Sequence, residues 1–302
     1  MAMGYQTVEW AASWYSGVTS QFAIRFFKNN GNQAAWTEFP NSPYYWTTDA
    51  WADATQYASF NKIDVFSDIK IANIDGSGHN DVVFCTHVEG VRWIPNLGGG
   101  DFGTQATNAP KSFGITRPNG LSTSYYPNVR KILPVNLDPN YNNSIDLVVA
   151  QAETGGGANM GSVIRVFYNT GSGNFLSEVT AAPFVSADTI QFTVGLRAFD
   201  LTPGDGTGRP EIIVTGIGST DTVRILHTTT TTQTSGISLA LNAVVGAGFG
   251  ADPFDVGAGD IGGSTAPDLV VFSSKSPTVV WYEGTNSTTA PSVVHVIDNT
   301  IN

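Results

Sequence analysis

Four loops of this chain set oxygen-bearing side chains at near-alternate positions around a glycine or proline kink. In residues 73–81, NIDGSGHND, the side chains of Asn73, Asp75, Ser77 and Asp81 fall at positions 1, 3, 5 and 9, His79 offers its backbone carbonyl at position 7, and Gly78 stands at the sixth. Oxygens wrapped around a sharp turn are the donor set of a hard divalent cation such as calcium. Affinity falls with formal ligand charge, so two carboxylates predict a weaker site than an all-Asp loop. Residues 136–146, NLDPNYNNSID, offer Asn136, Asp138, Asn140 and Asp146. Residues 200–211, DLTPGDGTGRPE, offer Asp200, Asp205 and Glu211. Residues 260–268, DIGGSTAPD, offer Asp260, Ser264 and Asp268, with Gly262 where an acid would be useful. The competing expectation for each loop is an Asx turn, in which the acid bonds its own backbone.

The elements that must position these loops repeat with them. Each closing acid opens an apolar run: Asp81 before VVF, Asp146 before LVV, Glu211 before IIV and Asp268 before LVV. Short β-branched runs bounded by Gly and Asp read as buried strands. A second run follows, IRFFKN at Arg25, VRWIPN at Arg92, IRVFYN at Arg165, VRILHT at Arg224 and VVWYEG at Val280. The period is roughly 64 residues, room for about four strands and their turns. Regular recurrence of the arginines points to a structural role, pairing an acid or backbone carbonyls of a neighbouring strand. The first unit has no acidic loop. No amphipathic helix is evident.

Repeated small sheets cannot bury both faces alone and must stack, and radial stacking is the usual solution at this repeat length. The pattern therefore predicts an all-β fold. It reads as one β-propeller domain over 1–302 with five four-stranded blades, six or seven being the alternative. The units run roughly 1–44, 45–110, 111–182, 183–247 and 248–302.

Lys plus Arg total 14 against 25 Asp plus Glu, a formal charge of −11, yet charged residues make up only 13% and aromatics reach 11%. The acid excess argues against nucleic acid and anionic membranes as partners. It suits cations or neutral polar ligands. The lone Cys85 forms no intrachain disulfide and reads as a small buried residue. The opening residues lack a basic n-region and an apolar core, and no apolar stretch is long enough to span a bilayer. The expectation is a cytoplasmic protein, or one secreted without a recognisable signal peptide, that does not insert into membranes.

Aromatic and amide content directs attention to sugars, whose sites pair an aromatic platform with a few fixed polar groups. Trp93 and Trp281 share one repeat position and are the candidate platforms. His87, Glu89, Asn96 and Glu283 are the polar candidates beside them. The competing expectation for each Trp is core packing. A Trp-rich stretch nearer the N-terminus (Trp10, Trp14, Trp36, Trp46, Trp51) is read as closing the ring. The histidines lie outside any local catalytic motif, so catalysis is the less favoured expectation.

The acidic loop, the strand after it and the closing turns Asn96-Leu97-Gly98-Gly99-Gly100-Asp101-Phe102 and Asn169-Thr170-Gly171-Ser172-Gly173-Asn174-Phe175 resemble FG-GAP/VCBS repeats. The likeness covers roughly residues 60–300. It implies a β-propeller like the integrin head, with structural calcium in some blade loops. Related propellers include lectins, parts of polysaccharide-active enzymes and adhesion proteins. Asn73 and Asn136 depart from the family's preferred first Asp, and Ser77 replaces its third acid. The resemblance implies a carbohydrate-binding lectin with several similar sites, its partners glycans or glycoproteins. A polysaccharide lyase or hydrolase and an integrin-like protein-binding scaffold are the alternatives.

Overall fold

The computed structural model describes residues 2–9, 19–29, 36–39, 42, 44–48, 66–86, 90–113, 129–139, 143–152, 162–175, 190–203, 208–218, 222–232, 236–245, 249, 252–263, 266–275, 279–285 and 293–298. The architecture is all-β: the described residues form strands, turns and bends, gathered into five antiparallel sheets. Among them no helix is long and apolar enough to cross a membrane. The chain divides into two compact units, Met1–Ile132 and Leu133–Asn302.

In the first unit one sheet holds β1 (Ala2–Glu9), β2 (Thr19–Asn29), β3 (Trp36–Glu38) and β4 (Tyr44–Thr48). β1 and β4 pair opposite edges of β2, and β3 pairs the far end of β2. Between β3 and β4 the ladder is broken, and the Ser42 hydroxyl accepts the Phe26 N–H in place of a backbone carbonyl. The second sheet runs in order through β5 (Phe66–Ala72), β6 (Asp81–Thr86), β7 (Gly90–Ile94) and β8 (Lys111–Ser112). Ile24, Phe26 and Tyr44 of the first sheet and Val82, Phe84 and Ile94 of the second bury one shared core with Phe102. The Phe26 and Phe102 rings stack at 3.9 Å.

The chain continues through β9 (Val129–Val135), β10 (Asp146–Ala152) and β11 (Ser162–Phe167), which form a three-stranded sheet among the described residues. Next comes the sheet β12 (Ile190–Phe199), β13 (Glu211–Gly218), β14 (Thr222–Thr232) and β15 (Gly236–Val245). The last is β16 (Pro253–Gly259), β17 (Asp268–Ser273), β18 (Val279–Tyr282) and β19 (Val294–Asp298). Val148, Ala150, Ile164 and Val166 pack with Leu196, Ile212, Val214 and Leu226 between the first two of these sheets. Ile213, Val223 and Ile225 pack with Val256, Leu269, Val271 and Val280 between the next two. Alternation along β13 explains this: Ile212 and Val214 face one neighbour and Ile213 the other, so both faces are buried.

One sheet thus corresponds to each sequence repeat. Two boundaries are corrected: β4 runs past residue 44, and β8 extends the second unit beyond 110. The SVVHVID run supplies β19, the outer strand of the last sheet, paired to β18.

Candidate functional site

The closing acids come first, because they decide what the loops can bind. Asp81 is fully buried. Its Oδ2 accepts the N–H of Ile74 at 2.8 Å and of Asp75 at 3.3 Å, and its Oδ1 accepts the N–H of Asn96 at 2.8 Å. Asp146 repeats this, taking Leu137 N–H on Oδ2 and Asn169 N–H on Oδ1. Asp268 takes Ile261 and Gly262 on Oδ2 and Gly284 on Oδ1. In each case one carboxylate ties the loop before the second strand to the turn after the third. Glu211, one methylene longer, stays within its loop, accepting Leu201 N–H and the Thr202 hydroxyl.

Burial pushes Asp146 up to about 7 against its two backbone donors, with Asp138 adding repulsion. Burial likewise raises Asp81 and Glu211. Burial works to raise Asp268 too, but the N–H groups of Gly284, Gly262 and Ile261, together with His295, outweigh it and hold its pKa below the ordinary value.

The rest of each loop is an Asx chain. Asp75 Oδ1 accepts Ser77 N–H, Ser77 Oγ accepts His79 N–H, Asn136 Oδ1 accepts Asp138 N–H and Asp200 Oδ1 accepts Thr202 N–H. Asp260 Oδ1 accepts Gly263 N–H. Among the described residues no three His, Cys, Asp or Glu side chains converge on a point.

The loops differ in how they fit the calcium that the repeat pattern implies. In 73–81 the Asn73 Oδ1 is buried without a hydrogen-bond partner. A buried oxygen without a donor is costly, and a cation would satisfy it beside Asp75 and Ser77. This loop fits. In 136–146 the Asp138 carboxylate meets the Arg209 guanidinium at 3.2 Å, so a positive group already stands where a metal was expected. Asp138 does not fit a metal there and is corrected from ligand to ion-pair partner. Asn140, Asp205 and Ser264 lie outside the described residues.

Among the sugar-binding candidates, Trp93 and Trp281 do share one position, opposite Val83 and Val270. Their environments diverge. Trp93 is 2% exposed, with Lys111 Nζ 4.5 Å from its ring centroid. It is a core residue and presents no platform. Asn96 is also corrected. Its amide donates to Asn80 O and accepts Gly98 N–H, so the side chain is spent holding its own turn. His87 and Glu89 lie outside the described residues.

Trp281 is half-buried. His295, its partner on β19, stacks on it with ring centroids 4.2 Å apart and planes 14° from parallel. His295 Nε2 lies 2.7 Å from Glu283 Oε1, the two side chains 41% and 47% exposed. On the loop side, a Cβ at Gly262 would come within 3.1 Å of Trp281 Cη2. Glycine, where an acid might have served a cation, instead leaves room for the indole. A half-exposed aromatic stack carrying an accessible carboxylate and imidazole can meet an apolar ring face and accept hydroxyl protons together.

No protein-family model matches the chain, and no curated protein matches it.

Sequence reasoning missed His295 and Arg209. His295 contacts Glu283 across a strand connection, and Arg209 reaches Asp138 over 71 residues. No local spacing marks either. Strand pairing would have found His295 once SVVHVID was set against VVWY.

Proposed function

We propose that the protein is a carbohydrate-binding lectin of β-propeller type, meeting its ligand at the last sheet through Trp281, Glu283 and His295. One observation carries the reading: a tryptophan only partly buried at a position that is fully buried in the second sheet, with a partly exposed carboxylate–imidazole pair beside it. One sheet per repeat, and closing acids that recur as loop-to-turn clamps, support the FG-GAP/VCBS reading of the repeats. Calcium belongs to the 73–81 loop, as a fastener of the β5–β6 connection rather than a catalyst.

A glycan array run with and without calcium tests the ligand class. Parent protein should bind a defined set of glycans, and Trp281→Ala should reduce that binding at least about tenfold, the loss expected when a stacked aromatic contact goes. Array binding left intact by that substitution removes the site. For the metal, EDTA should lower Tm and Asp75→Ala should abolish the calcium response.

The Glu283–His295 pair favours one second reading, a lyase or hydrolase on polysaccharide. A carboxylate–imidazole pair in reach of solvent can take and return a proton. Release of reducing ends or unsaturated sugar products from a polysaccharide panel would establish it.

A further inference from the structure

We infer that Arg209 is the resident cation of the second acidic loop, and that calcium does not bind at Asp138. Arg209 belongs to 200–211, yet its side chain crosses to 136–146. Nη2 and Nε approach Asp138 Oδ1 at 3.2 and 3.4 Å. The Asp138 side chain is 2% exposed and that of Arg209 26%. A carboxylate withdrawn from water needs hydrogen-bond donors or a counter-charge, and for Asp138 the guanidinium supplies both. The two loops also lie close together: a Cβ at Gly208 would be 3.8 Å from Pro139 Cγ.

Acceptance of backbone N–H groups is common to the described parts of the first and second loops, since Asp75, Ser77 and Asp81 do so in 73–81. Asn136 Oδ1 holds Asp138 N–H, and both Asp146 oxygens hold backbone N–H groups. A divalent ion entering at Asp138 would meet a guanidinium at contact distance, a repulsion that grows as water is excluded. The loop 73–81 carries no Lys or Arg, and it has a buried oxygen with no partner. One arginine therefore separates the first loop, open to metal, from the second, where Asp138 already holds a cation. The inference goes beyond the lectin reading and does not rest on it.

The test uses the full chain and calcium alone, by equilibrium dialysis and thermal melting. Asp138→Asn should leave the number of calcium ions bound per chain unchanged. Arg209→Gln should add one ion and a calcium-dependent rise in Tm. Arg209→Lys, which keeps the charge, and the double variant Arg209→Gln/Asp138→Asn should add neither. If Arg209→Gln folds only in millimolar calcium, that rescue supports the assignment equally. Loss of an ion in Asp138→Asn, or an Arg209→Gln chain that binds no more calcium than the parent and is not rescued by it, overturns it.

Discussion

A carboxylate with two oxygens, each able to accept more than one hydrogen bond, can join two backbone segments that no ladder connects. Asp81, Asp146 and Asp268 do this three times over, each spending one oxygen on its loop and one on the turn beyond the next strand. Replacing Asp81 by Asn keeps the shape but turns an NH2 donor toward N–H donors. The expected cost is about 1–3 kcal/mol, that of a buried donor left without an acceptor. Urea denaturation of Asp81→Asn measures it, and an unmoved midpoint would deny Asp81 the clamp role. The acids themselves were legible at this scale, because each precedes a β-branched run. Their partners were not, because Asn96, Asn169 and Gly284 lie a whole hairpin away. Trp93 and Trp281 make the same point. Sequence gives them one position, but the outer-strand residue above each differs, Lys111 over one and His295 over the other.

Among elements, the arginine-centred strand is the most regular. Arg25 pairs Glu38 on β3 at 2.7 Å, while Arg165 and Arg224 are 4% and 3% exposed. These are structural positions, and the fifth copy, Val280, is fully buried. The end of this strand is equally constrained. The turn glycines Gly98 and Gly171 sit at φ of 111° and 113°, conformations that side chains rarely adopt. In the last sheet Gly284 takes the role of Asn96, and a Cβ there would strike the carbonyl oxygens of Pro267 and Ala266. Gly284→Ala should therefore destabilise by about 1–3 kcal/mol, as overpacking against rigid backbone does. A thermal melt of that variant checks it, and a Tm equal to the parent's would show that the β18 end can shift. Unit boundaries were legible to within a few residues. The continuation of β3 into β4 was not, since it depends on Ser42 replacing a backbone acceptor.

For the whole molecule, the formal charge of −11 sits beside several carboxylates whose burial raises their pKa. An exposed aspartate releases its proton near pH 4, about 3.9 in peptides, whereas Asp146 in the folded chain holds it to about 7. Between those values the folded state carries a proton that the unfolded state lacks. The stabilisation is complete below the unfolded pKa and is lost as pH rises through the folded one. Asp268 and Glu38, held low, act in the opposite sense but below the ordinary carboxylate range. Unfolding at pH 6 should therefore release protons, as calorimetry in buffers of different ionisation enthalpy would record. Net proton uptake would reverse the sign argued for the buried acids.

The sequence by itself determined the class of fold, because β-branched runs at a period of roughly 64 residues can be satisfied only by repeated small sheets. It also determined where the acidic loops fall, since strand-opening acids and glycine turns are local chemistry. Tertiary structure alone decided what those loops do. Whether a carboxylate faces a backbone donor, a guanidinium or water depends on residues brought in from other hairpins. Asp138 and Arg209 meet only because neighbouring sheets pack face to face.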